Sequence, residues 1–206
     1  MSRTAHSAGY GRLSGDFLSW RAMSEVDRRR WDERYSARGM AAEGAHGPPP
    51  VWADFEEVFP TGGHALEIAC GRGQGAVWLA SRGLDVWGVD VSPVAIDFAR
   101  ELSSVSGLGD RCRFEVFDLD DGLPQGPPVD LLFCYKFRDP RLDQPMIERL
   151  RPGGLLAVAV LSEVGEGPGA FRAQPGELHD TFSGDDLDVV SEGERDGMAW
   201  ILARTK

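Results

Sequence analysis

Ala65-Leu66-Glu67-Ile68-Ala69-Cys70-Gly71-Arg72-Gly73-Gln74-Gly75-Ala76 joins a short apolar run to three glycines at every second position. A buried strand that runs into closely spaced glycines and then into a helix near Gly75 has the form of a nucleotide-binding turn. Without side chains the backbone turns sharply and lets a ligand approach, and N–H donors at the helix start face an anionic group. Asp90 closes the next apolar run, nineteen positions beyond Gly71. A carboxylate at that spacing can accept hydrogen bonds from both hydroxyls of an adenosine ribose.

Outward from this turn the chain alternates. Ala65 to Cys70, Asp85 to Val91, Cys112 to Asp118, Val129 to Lys136 and Leu155 to Ser162 are apolar or β-branched runs that suit strands. Ser92-Pro93 reads as a cap with proline at the first helical position, opening a helix that carries Ala95, Ile96, Ala99 and Leu102. Strand and helix in alternation predict an α/β fold, a parallel sheet covered on both faces with right-handed crossovers. Asp186 to Ser191 and Met198 to Lys206 read as a closing antiparallel hairpin around the polar segment Glu192 to Gly197.

Upstream, residues 1–23 read as a flexible arm, since Met1 to Arg21 lacks helical periodicity and contains Gly9, Gly11 and Gly15; Met23 is an alternative start. Residues 24–206 read as one domain, with a helical cap over 24–60 and an α/β core over 61–206. Within the cap, Ser24 to Arg38 is expected as a helix with Ser24 as N-cap, ending at Gly39. Gly39 to Pro50 is a loop, and Val51 to Phe59 a further short helix.

Hydrophobic residues make up 42% and charged residues 27%, enough to bury a core. The formal charge of -11 opposes tight binding to a polyphosphate backbone, which depends on Lys and Arg displacing counterions, so nucleic acid is not the expected partner. The longest apolar stretch, Leu155 to Leu161, is far short of a bilayer span, so no membrane association is expected. Cys70, Cys112 and Cys134 are odd in number and lack paired spacing, which reads as reduced thiols in a cytoplasmic protein without a structural metal.

Gly71-x-Gly73-x-x-Ala76 also satisfies the relaxed dinucleotide pattern, so a nicotinamide-dependent oxidoreductase and a binding module without catalysis stay open at this level. Glu67, an acid inside the strand before the glycines, argues against the first. Together with Asp90, Phe117-Asp118-Leu119, Val129 to Tyr135 and Leu150-Arg151-Pro152-Gly153-Gly154, the turn resembles that of class I S-adenosylmethionine-dependent methyltransferases. Arg30-Trp31-Asp32-Glu33-Arg34-Tyr35 and Gln174-Pro175-Gly176-Glu177-Leu178 resemble the tellurite-resistance and thiopurine methyltransferase-like group, although His179-Asp180 stands where that group tends to be basic.

The resemblance implies a Rossmann-like, doubly wound seven-stranded sheet of order 3-2-1-4-5-7-6 with strand 7 antiparallel, helices on both faces and an N-terminal helical cap. It implies S-adenosylmethionine as cofactor, S-adenosylhomocysteine as product and a small-molecule acceptor: a thiol, a selenium or tellurium compound, or a small aromatic or natural product. Glu67 then organises the loop around the methionine part, Asp90 takes the ribose, and Asp118 with Leu119 meets the adenine. Ala69, Gly71, Arg72, Gly73, Gly75, Val91, Ser92, Cys134 and Tyr135 complete the cofactor wall, with Trp31 and Tyr35 as its roof. Tyr135, Arg138 and His179 are the candidates for work on the acceptor, because ligands in open α/β sheets bind outside the carboxyl ends of the strands. A monomer or a homodimer is expected.

Overall fold

A computed structural model describes residues 16–39, 47–169 and 172–206, with side chains described from residue 25 onward. Its core is a mixed sheet in the order β3-β2-β1-β4-β5-β8-β7. The strands are β1 (Gly63–Ile68), β2 (Leu84–Asp90), β3 (Cys112–Val116), β4 (Val129–Tyr135), β5 (Leu150–Ser162), β6 (Arg172–Ala173), β7 (Leu187–Arg195) and β8 (Met198–Thr205). The first five are mutually parallel, and β8 runs antiparallel to both β5 and β7. The sheet has eight strands rather than the expected seven, because the two-residue β6 pairs with Leu161 and Ser162 at the end of β5. Without it, the observed order is the expected one.

Alternation along the strands feeds two cores. Ala65, Leu131, Phe133, Ala157 and Trp200 face the layer formed by α2 (Gln74–Ser81), α3 (Pro93–Val105) and a 3-10 helix over Pro50–Val58. Trp52 of that 3-10 helix packs edge-on against Phe133, with ring centroids 5.2 Å apart, and Phe59 meets Trp78 at 4.9 Å. Leu66, Ile68, Leu132, Val158 and Ile201 face the opposite layer, made by α4 (Asp143–Glu148) and α5 (Glu177–Phe182). The cap residue of α3 is as expected, with Ser92 Oγ accepting from Ala95 N at 3.1 Å.

Four local expectations are corrected. The N-terminal helix, α1, spans Asp16–Arg38, so Ser24 lies inside it rather than at its N-cap, and residues 16–23 are helical rather than part of an arm; the remainder of the arm, residues 1–15, lies outside the described residues. Its end is as expected: Gly39 takes φ 64° and donates to Tyr35 O at 3.0 Å, a left-handed stop that glycine adopts without steric cost. The helix expected at Val51 to Phe59 is 3-10 and interrupted at Phe55. The terminal hairpin turns on Asp196-Gly197 alone, both with positive φ as a two-residue primed turn requires, so Glu192 to Arg195 is strand and not loop. Finally, β5 starts at Leu150, with Arg151 to Gly154 as a bulge between the Val129–Leu150 and Leu131–Leu155 pairings.

Candidate cofactor and acceptor site

The carboxyl ends of β1, β2 and β4 meet where the strand order reverses, between β1 and β4, which is the crevice used by ligands of open α/β sheets. The glycine turn fills this place. Ala69, Gly71 and Gly73 have φ of 50°, 53° and 77°, folding the chain back so that Gly73 N reaches Cys70 O at 3.0 Å before α2 begins. A side chain at Gly73 would meet Ala99 Cβ at 2.7 Å, so this glycine lets α3 pack against the turn. A side chain at Gly75 would run into Glu67 Oε1 and meet Phe133 Cε1 at 2.9 Å, so this glycine makes room for the acid.

Glu67 is 4% exposed; its carboxyl accepts from the Ala76 N–H while Oε2 is buried with no partner among the described residues. Burial above all, with the nearby Asp90 adding to it, pushes its pKa up to about 8. Asp90 is also buried, and its oxygens accept from Gly71 N at 2.8 Å and Ser92 N at 2.9 Å. Burial raises Asp90, those two N–H groups oppose the rise, and Asp32 adds to it. Each Asp90 oxygen still has a lone pair to offer. Val91 is half-buried, and Ser92 donates its hydroxyl to Asp32 Oδ1.

The cap reaches the turn at three points: Asp32 on Ser92, Arg72 Nη1 donating to Gly39 O at 2.7 Å, and the Tyr35 hydroxyl 3.1 Å from where a Gly71 side chain would begin. Trp31 stacks on Tyr35 at 5.6 Å. Burial and Asp90 hold the Tyr35 phenol well above its ordinary range, with Arg38 and Arg72 pulling the other way. Asp118 Oδ1 accepts from Asp120 N at 3.0 Å and shapes the turn after β3, while Leu119 points into the second core. Cys134 is buried, its thiol pushed up to about 12 by burial, and Cys70 is likewise raised by burial, so both sit as neutral fillers.

The three acceptor-side candidates have different surroundings. Tyr135 is half-buried at the end of β4, 6.2 Å from Trp52 between ring centroids. Arg138 is fully engaged: it forms a fork on Asp143, with Nη2 at 2.9 Å from Oδ2, and its Nε reaches Glu177 Oε1 at 2.7 Å. Its side chain is 6% exposed and its charge is balanced by two carboxylates. His179 is exposed and pairs with Glu192 at 2.9 Å, on strand β7, four strands from β1. It borders an open groove of about 240 Å³ between α5 and the hairpin, apart from the glycine turn.

Sequence reasoning missed Asp32 and Arg38 as parts of the site, although both lie in the helix that carries Trp31 and Tyr35. It also missed the acids that organise the far wall: Glu177 Oε2 accepts from Gln174 N at 2.8 Å, and Glu194 Oε2 from Gly176 N at 2.9 Å. Among the described residues no group of three or more His, Cys, Asp or Glu is placed to hold a metal ion. No helix among them is long and apolar enough to cross a membrane.

Residues 65–154 match the family model described as a methyltransferase domain. The chain is 33% identical over 113 residues to methyltransferase GfsG of Streptomyces halstedii, covering 51% of this chain and 40% of that one. It is 31% identical over 109 residues to a protein-L-isoaspartate O-methyltransferase of Thermococcus onnurineus, covering 52% and 47% respectively. The chain thus spans less than half the length of these curated relatives. Among solved structures, TehB from Haemophilus influenzae has the same fold at a TM-score of 0.66 and 18% identity, covering 87% of this chain and 67% of that one. With this match, the sheet order and the acid-flanked glycine turn, residues 65–154 form a methyltransferase domain, on a fold shared with solved S-adenosylmethionine-dependent methyltransferases.

Proposed function

We propose that the protein methylates a small-molecule acceptor with S-adenosylmethionine. The observation that carries this reading is the pair of buried acids flanking the glycine turn, one of them with an oxygen that no donor among the described residues satisfies. A buried carboxylate without a full set of partners is costly, and a ligand that brings an ammonium and a ribose diol removes the cost. A dinucleotide supplies a ribose diol for Asp90 but no ammonium for Glu67, which disfavours the nicotinamide alternative.

When bound, S-adenosylmethionine supplies a methyl group on a positively charged sulfur. Glu67 Oε2 would take the ligand's ammonium, Arg38 and Arg72 balance its carboxylate beside Tyr35, Asp90 takes the ribose hydroxyls, and the turn at Asp118 and Leu119 borders the adenine. Helix α1, pinned at Asp32 and Gly39, closes the crevice against water, which strengthens every charge interaction within it. With Arg138 spent on Asp143 and Glu177, and His179 on the distant hairpin, Tyr135 is the sequence-derived candidate that stands at the strand ends. Such a site favours an acceptor that loses its proton readily, a thiol or an acidic phenol, over an alcohol that needs a base.

Incubation with methyl-labelled donor and a panel of thiols, selenite, phenols and amines tests the reading. Label appearing in a thiol or phenol product supports it; a chain that binds the donor yet transfers to none of the panel is a binding module instead.

A further inference from the structure

We propose that Lys136 recognises the acceptor by its negative charge, so that the site selects an anionic small molecule with an apolar, flat body. This rests on the methyl-transfer reading above. Lys136 is the last residue of the β4 edge to join the ladder, donating its N–H to Ala159 O at 2.7 Å, and it lies where β4 opens beside β1 into the crevice. Its backbone is left-handed, with φ 65°. That conformation is strained for a lysine, and glycine would adopt it freely. Of the three described non-glycine residues with positive φ, Ala69 also lies at the crevice and Asp196 is in the hairpin turn. Strain of this kind persists where the surroundings impose it, and it concentrates at ligand sites.

The charge of Lys136 is uncommitted where its neighbours' charges are not. In the segments that follow β4 and β5, Arg138 pairs with Asp143 and Glu177, Arg141 with Asp139 and Asp120, and Arg172 with Glu166. Among the described residues no carboxylate pairs with Lys136 Nζ, which stands 4.9 Å over the Tyr135 ring. The cation–aromatic contact holds the ammonium near the strand end while leaving its N–H donors directed at whatever enters. Trp52, fully buried, lies 6.2 Å from the Tyr135 ring and braces it from the core. An anion on a flat body matches this combination of one unpaired cation and aromatic surface.

The test uses the full chain saturated with S-adenosylhomocysteine, with benzoate, benzyl alcohol and benzylamine as probes followed by tryptophan fluorescence. The wild type is expected to bind benzoate about tenfold more tightly than benzyl alcohol, and benzylamine least. Lys136→Met and Lys136→Gly are both expected to erase the preference, while Lys136→Gly melts at the same or a higher temperature because it relieves the backbone. Equal affinities in the wild type, absence of saturable benzoate binding, or a preference that survives in Lys136→Gly would each overturn the assignment. Binding of S-adenosylhomocysteine is measured first and separately: its absence defeats the methyl-transfer reading, whereas the benzoate comparison decides on Lys136.

Discussion

Replacing Glu67 by glutamine removes a buried ionisable group and keeps the shape. Burial, the largest cause, together with Asp90 moves this carboxyl from its ordinary 4.5 to about 8. A folded-state pKa above the unfolded one means that the native protein binds the proton more tightly. The associated stability is therefore complete below about pH 4.5 and is lost as pH rises through about 8. At 1.36 kcal/mol per unit the full rise amounts to on the order of 5 kcal/mol as a ceiling. Without ligand, the wild type is expected to lose stability between about pH 5.5 and 8.5, and Glu67→Gln to lose little, so that the variant is the more stable of the two at the upper end. His179, raised by its bond to Glu192, gives a slope of the same sign, but it is exposed and is screened by about 0.5 M salt. Urea midpoints across this range in high salt measure the effect. A wild type that gains stability with pH, or a Glu67→Gln variant that keeps the whole slope, would refute the placement of an unpaired carboxyl in the turn.

Other outcomes follow from the same geometry. Gly75→Ala drives a methyl group into Glu67 Oε1 and Phe133, and is expected to cost about 1–3 kcal/mol by chemical denaturation; an unchanged midpoint would contradict the packing described. Asp90→Ala is expected to weaken S-adenosylhomocysteine binding about tenfold or more in calorimetry, with unchanged affinity ruling out its ribose role. Arg138→Met strands Asp143 and Glu177, 16% and 25% exposed, without a cation. A loss of about 3 kcal/mol is expected, seen as a melting temperature roughly 6–12 °C lower. A melting temperature within a degree of the wild type would show that the network does not hold the wall.

The strands beside the site were legible because they are buried on both faces and read as unbroken apolar runs, Leu155 to Val160 most clearly. Glu67 and Asp90 were legible because the turn needs them at fixed spacing. The terminal hairpin was less so: β7 is an edge strand with Asp188, Val189 and Val190 exposed, and its polar continuation through Glu192 and Glu194 looks like loop until Asp196-Gly197 is recognised as the turn. The start of α1 was missed because residues 16–23 lack helical periodicity in the sequence. The commitment of Arg138 could not be read at all, since its partner Glu177 lies 39 residues away and only the fold brings them together. The same holds for Asp32 and Ser92, 60 residues apart.

The central claim is that the Glu67–Asp90 crevice holds an adenosyl amino acid, and calorimetric titration of the full chain with S-adenosylhomocysteine, against NAD as control, tests it most directly. One S-adenosylhomocysteine bound per chain is expected, with affinity lost in Glu67→Gln and no heat from NAD. Saturable binding of NAD with none of S-adenosylhomocysteine would contradict the account.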